Sequence, residues 1–217
     1  MILSSYNTII FDCDGVILNS NPIKKQAFYN ATISYGQQAA EQLLAYHVKY
    51  GGKSRYEKFG YFIHEIIDRE PQVGEIERLL DIFAREVKKA LMKCEIAPGL
   101  EDLRKATKNS RWLVVSGGDQ AEIREVFHDR GIDKCFDAGI FGSPDDKDQI
   151  LERELQNGNI KAPAVFLGDS YYDYEAATRA GLDFIFISGW SEFEGGKEYF
   201  IAKEISVVDS LTELLKI

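Results

Sequence analysis

Hydrophobic and polar positions follow two different patterns along the chain, and the first half is mainly helical. A short apolar run at 8–11, rich in β-branched residues, predicts a buried parallel strand. From Asn21 to about Ala97 apolar positions recur at helical spacing, and the Asn-Pro pair at 21–22 is typical of a helix start, with Asn21 as its cap. The GGKSR segment at 51–55 interrupts this pattern. The first half therefore predicts one strand followed by a group of helices.

Beyond the IAPG segment at 96–99, apolar runs alternate with amphipathic stretches. These runs are WLVV (112–115), AVFL (164–167) and FIFI (184–187). Strands that alternate with helices predict a parallel sheet with helices on both faces. We expect an α/β protein with a doubly wound, Rossmann-like core of residues 1–15 and 98–217, and an all-helical cap domain inserted at 16–97.

Composition and charge narrow the classes of partner. The formal net charge of -9 argues against nucleic acid or an anionic membrane surface. The sequence has no apolar stretch long enough to span a bilayer, and its three cysteines are far apart, without a C-x-x-C pair. We expect a cytoplasmic protein with no nucleic acid and no membrane partner, in which a local basic pocket can still bind a small anionic metabolite.

Polar residues follow the predicted strands at the sheet edge where such folds bind ligands. They are Asp12 and Asp14 after the first run, Ser116 and Gly117 after WLVV, and Asp169 and Asp173 after AVFL, with Lys147 opening a helix between the last two groups. Carboxylates that converge on one edge suit a hard cation such as Mg²⁺. A serine hydroxyl, backbone N–H groups and a lysine suit an anion. Metal and anion sites together indicate phosphoryl transfer.

Four motifs carry a resemblance to a known family. DCDGV, VVSGG, Lys147 and GDSYYDYEAATRAG follow one another in this order, and in them the chain resembles the haloacid dehalogenase superfamily, in the branch whose helical cap is inserted after the first motif. D-x-D-G alone is a weak signal, whereas the ordered set of four is specific and covers nearly the whole chain. The branch includes phosphoglycolate phosphatases and β-phosphoglucomutase. The resemblance implies a phosphatase whose substrate is a small phosphorylated metabolite, such as a sugar phosphate or a phosphoglycolate-like acid.

The resemblance also assigns roles to the first motif. Asp12 is the expected nucleophile, which takes the phosphoryl group as an aspartyl phosphate. Asp14 is the expected acid, which protonates the leaving oxygen and then activates water as a base. Because side chains alternate along a strand, both can face the site while Cys13 points away, and Gly15 lets the backbone turn. We expect crowding of the two carboxylates to raise the pKa of Asp14.

The remaining motifs would bind the phosphoryl group and the metal. By resemblance, Ser116, Gly117 and Lys147 contact the phosphoryl oxygens, and Lys147 also offsets the charge of the nucleophile. The expected cofactor is Mg²⁺. Its expected ligands are Asp12, the backbone carbonyl of Asp14 and Asp169, with Asp173 supporting them.

Related activities differ at a few positions. Dehalogenases lack the second aspartate of the first motif, and phosphonatases have a small residue there, so Asp14 argues against both. Mutases of the β-phosphoglucomutase type have a histidine near the position of Lys24 and a G-x-S-R loop that binds a second phosphate. GKSR at 52–55 matches this loop, but Lys24 does not match the histidine. We expect a phosphatase, keep the phosphomutase as the alternative, and expect Lys53 and Arg55 to contact the substrate.

Other classes explain fewer residues. A D-x-D site of a glycosyltransferase does not account for Lys147, an EF-hand loop would need further ligands, and Ser116 lacks the G-x-S-x-G elbow of a hydrolase nucleophile. A non-enzymatic phosphate-binding protein would need no paired Asp12 and Asp14. We expect the three histidines to be ordinary helix residues: His47, His64 and His128.

Overall fold

A single six-stranded sheet organises residues 3–216, the part of the chain that the computed structural model describes. The strands are β1 (Thr8–Phe11), β2 (Arg111–Asp119), β3 (Gly139–Ser143), β4 (Ala164–Gly168), β5 (Asp183–Ile187) and β6 (Ser206–Val208). All neighbours pair in parallel, in the order β3-β2-β1-β4-β5-β6. The expected parallel α/β sheet is confirmed. The pattern did not predict β3 or β6, because GIFGS contains two glycines and SVV has three residues.

A helical segment, residues 21–91, lies between β1 and β2. Its helices are α1 (Asn21–Thr32), α2 (Gln37–Lys49), α3 (Arg55–Tyr61) and α4 (Glu75–Leu91), with a π-helical turn at Phe62–Ile66. Helix α1 begins at Asn21 as predicted, but Ser20 is the N-cap residue, so the prediction that Asn21 caps the helix is wrong. The aromatic rings of Phe28, Phe59 and Phe83 pack together between these helices, with centroids 4.4 to 5.9 Å apart.

Two backbone connections join the helical segment to the rest of the chain, one before α1 and one after α4. The amide of Ala97 donates to the carbonyl of Ile17 at 2.8 Å, and that of Asn19 to the carbonyl of Glu95 at 3.0 Å. The two connections therefore lie side by side. That the helical segment is a separate cap domain with bounds at 16 and 97 stays a prediction.

Helices cover both faces of the sheet. They are α5 (Leu100–Ala106), α6 (Gln120–Asp129), α7 (Lys147–Gln156), α8 (Tyr171–Arg179) and α9 (Gly196–Ala202). Because strand side chains alternate, Ile9 and Val114 pack with α5 and α6, whereas Ile10 and Leu113 pack with α7, α8 and α9. The doubly wound arrangement is confirmed. No helix of the described chain combines the length and apolar character needed to cross a membrane.

Candidate active site

Three buried carboxylates meet at the carboxyl ends of β1 and β4. Asp12 directly follows β1, Asp169 follows β4, and Asp173 lies in the first turn of α8. One oxygen of each lies within 4.8 Å of those of the other two. The fold therefore brings together three of the residues that the sequence motifs single out, although they are far apart along the chain.

The three carboxylates differ in how their oxygens are used. Asp12 Oδ1 is buried and forms an ion pair with Lys147 Nζ, 2.9 Å away, but has no well-aligned hydrogen bond among the described residues. Asp173 Oδ2 accepts from the amides of Asp169 (3.2 Å) and Ser170 (3.0 Å) and from Ser170 Oγ (2.7 Å), and its Oδ1 pairs with Lys147. Asp173 thus orients its neighbours. Asp12 and Asp169 offer hard oxygen donors that fit Mg²⁺.

Burial and mutual repulsion perturb the titration of this cluster. Burial raises the pKa of Asp12 to about 7, against the opposing charge of Lys147. Burial and the charges of Asp12 and Asp173 raise the pKa of Asp169 well above its usual range. Burial by itself lowers the pKa of Lys147, but the attraction of Asp12 and Asp173 outweighs it and the pKa is raised. One lysine is too little charge for three carboxylates, so an added cation would relieve the repulsion.

Asp14 has its own cationic partner from the helical segment. Lys24 Nζ pairs with Asp14 Oδ2, and Ser20 Oγ donates to Asp14 Oδ1 at 2.5 Å. Burial alone would raise the pKa of Asp14, but Lys24 and the two hydrogen bonds outweigh it, so the pKa is lowered. The expectation of a raised pKa is wrong, because Lys24 places an opposite charge in direct contact.

The geometry after β1 explains the D-x-D-G motif. Asp12 and Asp14 line the same cavity, whereas Cys13 is buried in the hydrophobic core. Gly15 has φ 76°, and a Cβ there would lie 2.0 Å from Asp169 Oδ2. A side chain at position 15 would therefore displace the carboxylate cluster.

The VVSGG motif, at 114–118, lies where the helical segment contacts the sheet. Ser116 is fully buried, and its Oγ accepts a hydrogen bond from the amide of Gly118 at 3.0 Å. Gly117 and Gly118 line the cavity. A Cβ at Gly117 would lie 2.0 Å from the carbonyl oxygen of Gly52. Gly117 thus permits the 51–55 loop to close on this edge of the sheet, and phosphoryl binding by Ser116 stays a prediction.

Lys147 reaches the cluster from the start of α7. Asp146 caps this helix through a reciprocal capping box with Gln149, which fixes the first turn. The side chain of Lys147 is completely buried and contacts both Asp12 and Asp173. The prediction that Lys147 opens a helix is confirmed.

The two predicted substrate contacts of the 51–55 loop already have protein partners. Arg55 Nη2 and Nη1 donate to the Glu122 carboxylate at 2.5 and 3.2 Å, and its guanidinium lies 4.7 Å from the ring centroid of Phe83. Lys53 Nζ lies 3.9 Å from Glu57 Oε1. Both side chains also line the cavity. Substrate contact by Arg55 and Lys53 stays a prediction, and sequence reasoning missed Glu122.

The cavity above the carboxylates has a volume of about 690 Å³ and includes two residues that sequence reasoning missed, His47 and Lys58. His47 lies on α2, buried in this wall 2.7 Å from Lys58 Nζ, and that it is an ordinary helix residue stays a prediction. Lys58 lies three residues after Arg55 and four before Phe62, both buried. A lysine one helical turn before a phenylalanine was the available signal.

One further side chain, that of Asn21, contacts the carboxylate cluster. Asn21 Nδ2 donates to Asp169 Oδ2 at 3.0 Å and to the carbonyl of Trp190 at 3.0 Å. The helical segment thus contacts the carboxylate cluster through α1. His64 and His128 have exposed side chains on the helical surface, as expected.

Comparisons with known proteins agree with this fold. A phosphorylated carbohydrates phosphatase of Thermotoga maritima is 25% identical over 186 residues, which are 82% of this chain and 83% of that protein. A predicted phosphatase from Clostridium acetobutylicum has a similar structure, with a TM-score of 0.74 and 21% identity over 97% of each chain. A predicted phosphoglycolate phosphatase from Haemophilus somnus 129pt gives a TM-score of 0.73 and 18% identity, over 99% of this chain and 98% of that one. The family model of the haloacid dehalogenase-like hydrolases matches residues 6–181, and the chain belongs to this family.

Proposed function

We propose that the protein is a Mg²⁺-dependent phosphatase that hydrolyses a small phosphorylated metabolite through an aspartyl phosphate on Asp12. The observation that carries the proposal is the buried Asp12 carboxylate, whose Oδ1 has no well-aligned hydrogen bond among residues 3–216 and whose charge the Lys147 ammonium offsets at 2.9 Å. The names of the relatives, a phosphorylated carbohydrates phosphatase and two predicted phosphatases, support this reaction class.

Asp12, Asp169 and the backbone carbonyl of Asp14 would hold Mg²⁺, and Asp173 keeps Asp169 in place through the backbone. When bound, the ion supplies positive charge that offsets the phosphoryl oxygens. Lys147 contributes a second, permanent positive charge beside Asp12. Ser116 and the amide of Gly117 would donate hydrogen bonds to the same oxygens.

The reaction has two displacements at phosphorus. First an oxygen of Asp12 forms a bond to phosphorus, the bond between phosphorus and the substrate oxygen breaks, and Asp14 gives its proton to that oxygen. Then a water oxygen attacks phosphorus, Asp14 takes up a proton from the water, and the bond between Asp12 and phosphorus breaks. Inorganic phosphate and the dephosphorylated alcohol are the products.

The phosphomutase stays the alternative because the GKSR loop lines the cavity. Two features favour the phosphatase. The loop arginine, Arg55, is paired with Glu122, and Lys24 occupies the position where the resembling mutases have a histidine.

The test is release of inorganic phosphate from a panel of phosphorylated sugars and sugar acids, with Mg²⁺ and with EDTA. We expect turnover that needs Mg²⁺, is lost in Asp12→Asn, and is retained in Asp102→Asn, a matched change at an exposed carboxylate paired with Lys105. Substantial turnover by Asp12→Asn would overturn the covalent route. An isomeric sugar phosphate formed with little free phosphate would favour the mutase.

A further inference from the structure

Lys58 is a buried lysine without an anionic partner in the part of the chain that the structure describes. It is 2% exposed, and no carboxylate of the described chain lies within ion-pair distance of its Nζ. Its neighbours are the Nδ1 atom of His47 at 2.7 Å and the ring of Phe28, whose centroid is 5.6 Å away. Lysine is almost never fully buried unless it is paired. Within residues 3–216, no negative charge therefore neutralises Lys58 in this site.

His47 holds Lys58 in place but does not neutralise it. Burial and the charge of Lys58 lower the pKa of His47 well below its usual range, so the imidazole is neutral. A neutral imidazole can accept a hydrogen bond from the Lys58 ammonium through Nδ1. Its Nε2 is buried and has no partner among residues 3–216. His47 thus fixes the position of the cation and leaves its charge unbalanced.

The helical segment forms one wall of the cavity, and the charged residues that it contributes to this wall, among those described, are all positive. Among the described cavity residues, helices α1 to α3 and the 51–55 loop contribute five cations and no carboxylate: Lys24, Lys49, Lys53, Arg55 and Lys58. The cavity carboxylates come from elsewhere: Asp12, Asp14, Asp169, Glu175 and Glu192. Lys24 pairs with Asp14 and Arg55 with Glu122, so of the buried cations in this wall Lys58 is the one without an acidic partner among the described residues.

We propose that Lys58, held by His47, binds a second anionic group of the substrate, on the part that is not transferred. This inference rests on the proposed phosphatase function and narrows its substrate class to phosphorylated metabolites that carry a further carboxylate or phosphate. Burial and the charge of Lys24 lower the pKa of Lys58 to about 7, and an anion in contact with it would restore the ammonium form. A neutral polyol would supply no such charge, so burial would continue to disfavour the ammonium form.

The test uses pairs of substrates that differ in one group. They are 6-phosphogluconate with sorbitol 6-phosphate and 3-phosphoglycerate with glycerol 3-phosphate for a carboxylate, and fructose 1,6-bisphosphate with fructose 6-phosphate for a phosphate. We expect wild-type kcat/KM to be about tenfold or more higher for the acidic member of at least one pair, as one charge-assisted contact predicts. Which pair responds identifies the anion. Lys58→Met should abolish the preference and change kcat/KM for the neutral member less than about threefold.

Two further variants control for net charge and for folding. Lys49→Met removes an exposed cation from the same wall and should change the preference by less than about threefold. Lys58→Gln keeps a donor for His47 without the charge and should act like Lys58→Met if the latter fails to fold, with thermal unfolding as the check. Equal losses on both members of a pair, or no preference in the wild type, would overturn the proposal.

Binding measurements separate this proposal from the proposed function. The Asp12→Asn protein is titrated with the same pairs by calorimetry, with and without the Lys58→Met change. Stronger binding of the acidic member that depends on Lys58, without turnover by the wild type, would support the anion site and refute the phosphatase. Turnover without any such preference would refute the anion site alone.

Discussion

The ion pair between Arg55 and Glu122 connects α3 with α6, and its contribution to the free energy of unfolding can be measured. The two side chains are 6% and 9% exposed and share two hydrogen bonds, at 2.5 and 3.2 Å. Because removing one partner of a buried pair leaves an uncompensated charge, Arg55→Met or Glu122→Gln should each lower the free energy of unfolding by about 3–5 kcal/mol. The double variant should lose less than the sum, by up to about 3 kcal/mol.

A second ion pair between the helical segment and α6 provides a matched control. Lys88 Nζ lies 2.8 Å from Glu125 Oε1, but these side chains are 53% and 50% exposed. Exposed pairs contribute about 0–1 kcal/mol. Urea unfolding at pH 7 of Lys88→Met and Glu125→Gln should therefore show small, nearly additive losses.

The comparison also tests the role of Arg55. If Arg55 and Lys88 variants lose similar stability, or if the losses of Arg55→Met and Glu122→Gln simply add, the buried pair does not fasten α3 to α6. Arg55 would then be free for substrate, as the sequence motif predicts. In that case Glu122→Gln should leave KM unchanged or lower it, whereas Arg55→Met should raise it.

Three further predictions concern the carboxylates and the loop. The pKa of Asp12 in the folded protein, about 7, exceeds its ordinary value of 3.8. The contribution of Asp12 to the free energy of unfolding is therefore fully present below about pH 4 and is lost as the pH rises through 7. Metal-free Tm should fall over this range, and Mg²⁺ should raise Tm most at pH 7 to 8; a Tm unaffected by Mg²⁺ would refute the site. Gly117→Ala would put a Cβ 2.0 Å from the Gly52 carbonyl oxygen. Overpacking of about 1–3 kcal/mol should lower kcat/KM by about 5- to 150-fold. Unchanged kinetics would mean that the 51–55 loop need not close on this edge of the sheet. Lys24→Met removes the cation that lowers the pKa of Asp14, so the alkaline limb of kcat/KM should move to higher pH; an unmoved limb would exclude Asp14 as the acid.

The pattern of apolar residues predicted the parallel sheet because buried strands need continuous apolar runs. It identified β1, β2, β4 and β5, and the carboxylates could be placed at one edge because parallel strands end together. Strand β3 was missed since its glycines weaken the apolar signal, and β6 since three residues give no period. The core of the fold was therefore predictable, and its edge strands were not.

Side-chain contacts that the helices make with other parts of the fold could not be predicted from spacing. The contacts of Lys24 with Asp14, Arg55 with Glu122 and Lys58 with His47 depend on how the helices pack, and the sequence separates the second pair by 67 residues. Spacing places residues on one face of a helix. It does not show which other element packs against that face. The predicted roles of Lys53 and Arg55 came from resemblance alone, and the same resemblance did not point to Lys58.

Lys24 connects the proposed chemistry with the helical segment. In the proposed reaction Asp14 would need a proton to give to the leaving oxygen, yet Lys24 lowers the pKa of Asp14. A phosphoryl group bound in the cavity would bring negative charge close to Asp14 and compete for the Lys24 ammonium, and both effects would raise the pKa of Asp14. Since Lys24 belongs to α1 while Asp14 follows β1, the position of the helical segment sets their contact. In the proposed reaction Asp14 therefore stays ionised in the empty cavity and gains its proton when substrate takes over Lys24.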